Sequence, residues 1–98
     1  MNPRRTAVPV LLLLSSLGAA VAADAPPGAS SCSGCHPVSR AVETPAGRLI
    51  GHSAAEIVTA MQAFRSGQRP STIMDRIAKG FTDDEIKAIA DWYGAQKD

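Results

Sequence analysis

Cys32-Ser33-Gly34-Cys35-His36 uses both cysteines of the chain and one of its two histidines. A C-x-x-C-H run is the signature of covalent haem attachment. The spacing follows from the chemistry. Two thiols about one helical turn apart can each add to a haem vinyl group as a thioether. The next residue then turns its imidazole to the iron from the same side. Two other chemistries share the spacing. A thioredoxin-like redox pair needs a βαβ context, and no alternating strand pattern flanks the motif. A structural zinc site needs four ligands, which only Cys32, Cys35, His36 and His52 together would supply. A disulfide between the two cysteines would close too small a loop to stabilise much. The motif therefore points to haem thioethers at Cys32 and Cys35 and an axial iron ligand at His36.

Upstream of the motif the chain reads as a targeting segment. Arg4 and Arg5 form a positive n-region, Ala7 to Leu17 an apolar stretch, and Ala20-Val21-Ala22-Ala23 a small-residue cleavage site. That pattern is a secretory signal peptide over residues 1–23, too short for a membrane span. An uncleaved anchor is the alternative. The Arg4-Arg5 pair lacks the rest of a twin-arginine signal. Cleavage after Ala23 leaves Asp24 to Asp98 as one small exported domain, placed in the periplasm. Of the 10 Lys/Arg residues, Arg4 and Arg5 go with the signal, so eight face nine Asp/Glu. No clustered basic face suggests nucleic acid. A domain this small is marginal on a hydrophobic core alone, and a covalently held haem would supply the missing apolar volume.

Downstream, the pattern is helical throughout. Asp24 to Ser31, with Pro26, Pro27 and Gly28, reads as a loose lead-in to a short helical turn carrying the motif. Pro37 should end or kink that turn, since its ring clashes with the carbonyl of Ser33 in a continuing helix. Val38 to Gly51, holding Pro45, Gly47 and Gly51, reads as an irregular loop around the haem. Ser53-Ala54-Ala55-Glu56 is a capping box, followed by Ile57, Met61 and Phe64 on one face and a stop at Gly67. Ser71 or Thr72 can cap a short helix carrying Ile73, Met74 and Ile77 and closed by Gly80. Thr82-Asp83-Asp84-Glu85 is a second capping box, with Phe81 and Ile86 placed for a hydrophobic staple. Ile86, Ile89, Ala90 and Tyr93 form the buried stripe of the last helix, with Gly94 loosening its end. The fold class is all-α, about four short helices wrapped around one haem.

The second axial ligand decides between electron transfer and ligand chemistry. Met61, Met74 and His52 are the candidates. Met61 shares the Ile57–Phe64 face, the ordinary position of a core residue. His52 precedes a helix cap, the ordinary position of a surface histidine. Met74 follows the Arg69-Pro70 turn in a short segment able to present its thioether, with core filling as its alternative. His/Met ligation raises the potential and leaves no open site for oxygen or peroxide.

The C-x-x-C-H motif, a methionine two-thirds along and a capped C-terminal helix resemble a class I c-type cytochrome. The run Ala63-Phe64-Arg65-Ser66-Gly67-Gln68-Arg69-Pro70-Ser71-Thr72-Ile73-Met74-Asp75-Arg76-Ile77-Ala78-Lys79-Gly80 and the following Phe81-Thr82-Asp83-Asp84-Glu85-Ile86 are similar to the cytochrome subunits of flavocytochrome c sulfide dehydrogenases. The resemblance covers the last half of the chain and the motif. It implies one haem c on Cys32 and Cys35, with His36 and Met74 as axial ligands, and Met61 where the family has leucine. It implies that the Pro45 carbonyl accepts a hydrogen bond from the His36 imidazole. It also implies a partner: an FAD-containing flavoprotein that oxidises sulfide and passes electrons to this chain, which hands them to a downstream acceptor such as another cytochrome. The FAD belongs to that partner, and this chain has no catalytic residues of its own. Arg65, Arg69, Arg76 and Lys79 then either steer a partner, meet haem propionates or form a solvated face. The chain departs from the family in Pro37-Val38-Ser39-Arg40 after the motif and in the Pro-Pro-Gly lead-in before it. The alternatives are a free soluble shuttle between respiratory complexes and a haem-based sensor or ligand binder.

Overall fold

The computed structural model describes residues 24–97; the expected signal peptide, 1–23, lies outside them. Four helices form, α1 Ala29–Cys32, α2 Ala54–Ser66, α3 Met74–Lys79 and α4 Asp83–Ala95, with no strand among the described residues. This is the all-α architecture of about four short helices that the pattern predicts, consistent with the class I cytochrome c-like fold that the resemblance implies.

Both capping boxes close. The Glu56 N–H donates to Ser53 Oγ at 3.1 Å, and the Ser53 N–H donates to the Glu56 carboxylate at 2.8 Å. Thr82 and Glu85 repeat the arrangement at 3.1 and 3.2 Å. These bonds satisfy N–H groups that the first turn of a helix leaves unpaired. Asp83, Asp84 and Glu85 crowd the first turn of α4, where the helix dipole favours negative charge. Ile86, Ile89, Ala90 and Tyr93 are all buried. On α2, Ile57 is buried while Met61 and Phe64 are partly covered.

α2 packs against both α4 and α3. Ala29, Ile57, Ile89, Ala90 and Tyr93 form the core, with Cys32, Leu49, Ile50, Met61, Phe81 and Trp92 against it. The Trp92 ring meets Tyr93 edge-on, 4.9 Å between centroids. The Tyr93 hydroxyl donates to the Ala29 carbonyl at 2.6 Å and ties α4 to α1. None of the helices among the described residues is long and apolar enough to cross a membrane.

Three local expectations change. The lead-in is not loose from Gly28 on. Ala29 is fully buried, and Gly28 sits at φ +89° where a Cβ would come within 2.7 Å of the Phe81 ring. Close packing, which Pro-Pro-Gly composition hides, orders this segment. Ser71 does cap α3 as expected, its Oγ accepting from the Asp75 N–H at 2.9 Å from two residues before Ile73. Ile73 is not on the buried face but 57 % exposed. At the other end, Gly94 stays helical and marks the α4–α2 crossing, where a Cβ would lie 2.8 Å from the Ala54 nitrogen.

Arg65 also differs from expectation. Its guanidinium donates to the Ala78 carbonyl at 3.4 Å and the Phe81 carbonyl at 2.5 Å, and it pairs with the Asp83 carboxylate. It joins α2 to the end of α3 and the start of α4. Arg69 lies over the Phe64 ring, 4.8 Å from its centroid, a cation–π contact. Arg65 is thus an internal clasp rather than a steering charge.

Candidate haem site

The motif leaves α1 through a turn. The Cys35 N–H donates to the Cys32 carbonyl at 3.2 Å and the His36 N–H to the same oxygen at 2.8 Å. Regular helix ends at Cys32, four residues before His36, and Pro37 follows without an N–H to extend the ladder. Both thiols are free; Cys32 is half-buried and Cys35 exposed. Burial pushes the Cys32 thiol above its ordinary value of 9.0, with a backbone hydrogen bond opposing the rise. A redox-active C-x-x-C pair needs the opposite shift, so the microenvironment disfavours the thioredoxin-like chemistry. Among the described residues no three or more His, Cys, Asp or Glu side chains gather as a metal cluster, and His52 turns instead to Glu56 at 3.5 Å on the surface. The four-ligand zinc set is therefore not assembled.

His36 is oriented by its Nδ1, which lies 2.9 Å from the Gly47 carbonyl oxygen. A carbonyl only accepts, so Nδ1 carries the proton of the neutral ring and Nε2 keeps its lone pair for a metal. The carbonyl belongs to Gly47, not to Pro45 as the resemblance implies. The reason is local. The Gly47 N–H closes a turn onto the Thr44 carbonyl at 3.0 Å, with Pro45 and Ala46 as its central pair, and Gly47 leaves that turn at φ +72°. This left-handed backbone suits glycine and brings the carbonyl two residues after Pro45 to the imidazole.

Two neighbouring side chains hold the same turn to the motif. Thr44 Oγ1 donates to the Cys35 carbonyl at 2.7 Å. The Arg48 guanidinium donates to the Val38 carbonyl at 2.8 Å. Residues 44, 47 and 48 thus grip residues 35, 38 and His36 between them. Neither Thr44 nor Arg48 stands out in the sequence. Only Thr44-Pro45-Ala46-Gly47 carried a signal, as a turn with proline second and glycine fourth.

The remaining candidates separate by surroundings. Met61 packs against the core cluster, as its periodicity predicts. Met74 is the first residue of α3, half-buried, and lies outside that cluster. Pro45 is exposed in its turn.

The packing fits a haem. Only Ile57, Ile86, Ile89 and Tyr93 among the described side chains larger than alanine are buried. Leu49, Ile50, Met61, Phe81 and Trp92 cover the core yet stay partly exposed themselves. These partly exposed side chains make apolar walls of the kind a flat apolar group would cover, in a chain with two free thiols and an imidazole with one available nitrogen.

The comparisons agree with this chemistry. The chain is similar to the cytochrome subunit of sulfide dehydrogenase from Chlorobaculum tepidum. The two are 41 % identical over 64 residues, 65 % of this chain and 58 % of that protein. This chain therefore spans less than two thirds of its relative's length. No family model matches it.

Proposed function

We propose that this chain is a periplasmic electron-transfer protein carrying one haem c, and that it serves as the cytochrome subunit of a sulfide-oxidising flavocytochrome. The observation that carries the haem reading is the His36–Gly47 bond, which fixes the ring tautomer that a metal needs, next to two free thiols. Cys32 and Cys35 would hold the haem as thioethers, each adding its S–H across a vinyl C=C so that a C–S bond forms and the thiol proton passes to carbon. His36 would bind iron through Nε2, and Met74 would supply a thioether as second ligand, a reading supported by the core position of Met61 and the Glu56 contact of His52. The haem iron supplies one-electron redox chemistry. The chain's own task would be to keep His36 and Met74 as ligands in each oxidation state, so that little moves on electron transfer.

The partner reading follows from the similarity to a sulfide dehydrogenase subunit. An FAD-bearing subunit takes an electron pair from sulfide, and this chain accepts the electrons singly and passes them to another carrier. Export through a signal peptide over residues 1–23 places the domain where haem is attached covalently.

Expression with a c-type haem maturation system tests the reading. One covalent haem per chain and no CO binding by the ferrous protein at neutral pH are expected. Replacing Met74 by Ala should open the iron to CO. A wild-type chain that takes CO readily would favour a ligand binder instead, and an unchanged Met74→Ala spectrum would remove Met74 from the iron. Sulfide should reduce this haem only when a co-purifying flavoprotein is present; a monomer that reduces an oxidase directly would point to a free shuttle.

A further inference from the structure

The turn at residues 44–48 is a four-point device rather than a loop that happens to pass the motif. Its two ends are locked together by the Gly47 N–H on the Thr44 carbonyl at 3.0 Å. Pinning Thr44 therefore fixes where the Gly47 carbonyl sits. Thr44 is pinned through its hydroxyl to the Cys35 carbonyl at 2.7 Å, the residue immediately before His36. Carbonyls at the end of a helical turn lose their usual N–H partners, and here Pro37 prevents the helix from continuing. The Thr44 hydroxyl supplies the missing donor. The Arg48 guanidinium holds the far side of the turn through the Val38 carbonyl at 2.8 Å.

We propose that Thr44 is a positioning residue for His36. Its hydroxyl holds the Gly47 carbonyl against Nδ1 and so sets the reduction potential of the iron bound at Nε2. The inference rests on the haem reading given above. Its physical basis is that a carbonyl drawing on the Nδ1 proton makes the imidazole a stronger electron donor. A stronger donor favours ferric over ferrous iron and lowers the potential. Releasing the near end of the turn weakens that bond, so the potential rises.

The test uses the holoprotein. Thr44→Val keeps the volume and removes the donor; Thr44→Ser keeps the donor. Potentials are measured by spectroelectrochemistry, and exchange of the His36 Nδ1 proton by NMR in the ferrous state. Thr44→Val should favour the reduced form at least threefold, about 28 mV upward at 59 mV per tenfold for one electron, with faster Nδ1 proton exchange. Thr44→Ser should match the wild type in both. An unmoved Thr44→Val potential overturns the proposal, as does a Thr44→Ser shift as large as that of Thr44→Val. If Thr44→Val yields no holoprotein, Thr44→Ala removes the same donor with a smaller side chain; a rise in its potential with faster Nδ1 proton exchange supports the proposal and an unchanged value overturns it. A wild-type chain without covalent haem would overturn the haem reading itself, and this inference with it.

Discussion

The Tyr93 hydroxyl donates to the Ala29 carbonyl at 2.6 Å from a side chain that is 1 % exposed. Burial holds the phenol above its ordinary value of 10.0, with the nearby Cys32 adding to the rise, so it remains a donor at any physiological pH. Tyr93→Phe would leave a buried acceptor unpaired, a loss of about 1–3 kcal/mol. The urea midpoint should fall while the slope of the transition stays constant. Gly94 gives a second case in which magnitudes decide. Helix propensity favours alanine over glycine by about 1 kcal/mol. At position 94, however, a Cβ would lie 2.8 Å from the Ala54 nitrogen, and overpacking of this kind costs about 1–3 kcal/mol. Gly94→Ala should therefore lower the melting temperature although it improves the helix. Tyr93 is legible in the sequence as a core residue, because its place in the stripe follows from periodicity. Its hydroxyl partner and the tight crossing at Gly94 are not, because both depend on which backbone lies opposite.

At the scale of elements, α2 and α4 are readable almost to the residue because each begins with a capping box and carries an apolar stripe. Those signals are local, and local signals survive in a sequence. The carboxylates of Glu56 and Glu85 are both held below their ordinary value of 4.5, first by the backbone N–H bonds of Ser53 and Thr82. A depressed folded-state value means that the contribution is present above about pH 4.5 and lost as pH falls through the lower, folded value. Glu85→Gln keeps an acceptor for the Thr82 N–H but does not titrate there. Its stability should therefore fall less steeply than that of the wild type below about pH 4.5, measured by urea unfolding at stepped pH. Short elements are less readable. α1 and α3 span four and six residues, too few for a period to show, and tertiary bonds fix them. Arg65 is the chief of these for α3, gripping the Ala78 and Phe81 carbonyls and Asp83 from α2. Hydrogen bonds from a charged donor contribute about 1.5–3 kcal/mol each, so Arg65→Leu should cost at least about 2 kcal/mol. Amide exchange should accelerate first in α3, the helix that starts at Met74.

Across the whole molecule, the haem expectation rests on a local pattern, while the way the chain holds the His36 ring is not local. Cys32, Cys35 and His36 are contiguous, so their spacing is legible in the sequence. The Gly47 carbonyl, Thr44 and Arg48 lie on a loop without periodicity, and their roles come from a backbone turn folding back over nine to eleven residues. The same division governs stability. Among the described residues, four buried side chains larger than alanine, Ile57, Ile86, Ile89 and Tyr93, are few for a domain this size. A small domain buries a low fraction of its surface and usually needs a staple. No disulfide provides one, since both thiols are free. On the proposed reading the staple is the haem that the thiols would hold, and its binding would then become folding free energy. Replacing Cys32 and Cys35 together by Ala, and producing the chain without haem, separates the two. Far-UV circular dichroism should show most of the helix lost, and urea should give a broad, non-cooperative change. Adding free haem should restore part of the helicity through His36 and Met74. A haem-free chain with full helicity and a sharp transition would show that α2 and α4 need only each other, and that the partly exposed walls of Leu49, Ile50, Met61 and Trp92 are complete without a ring between them.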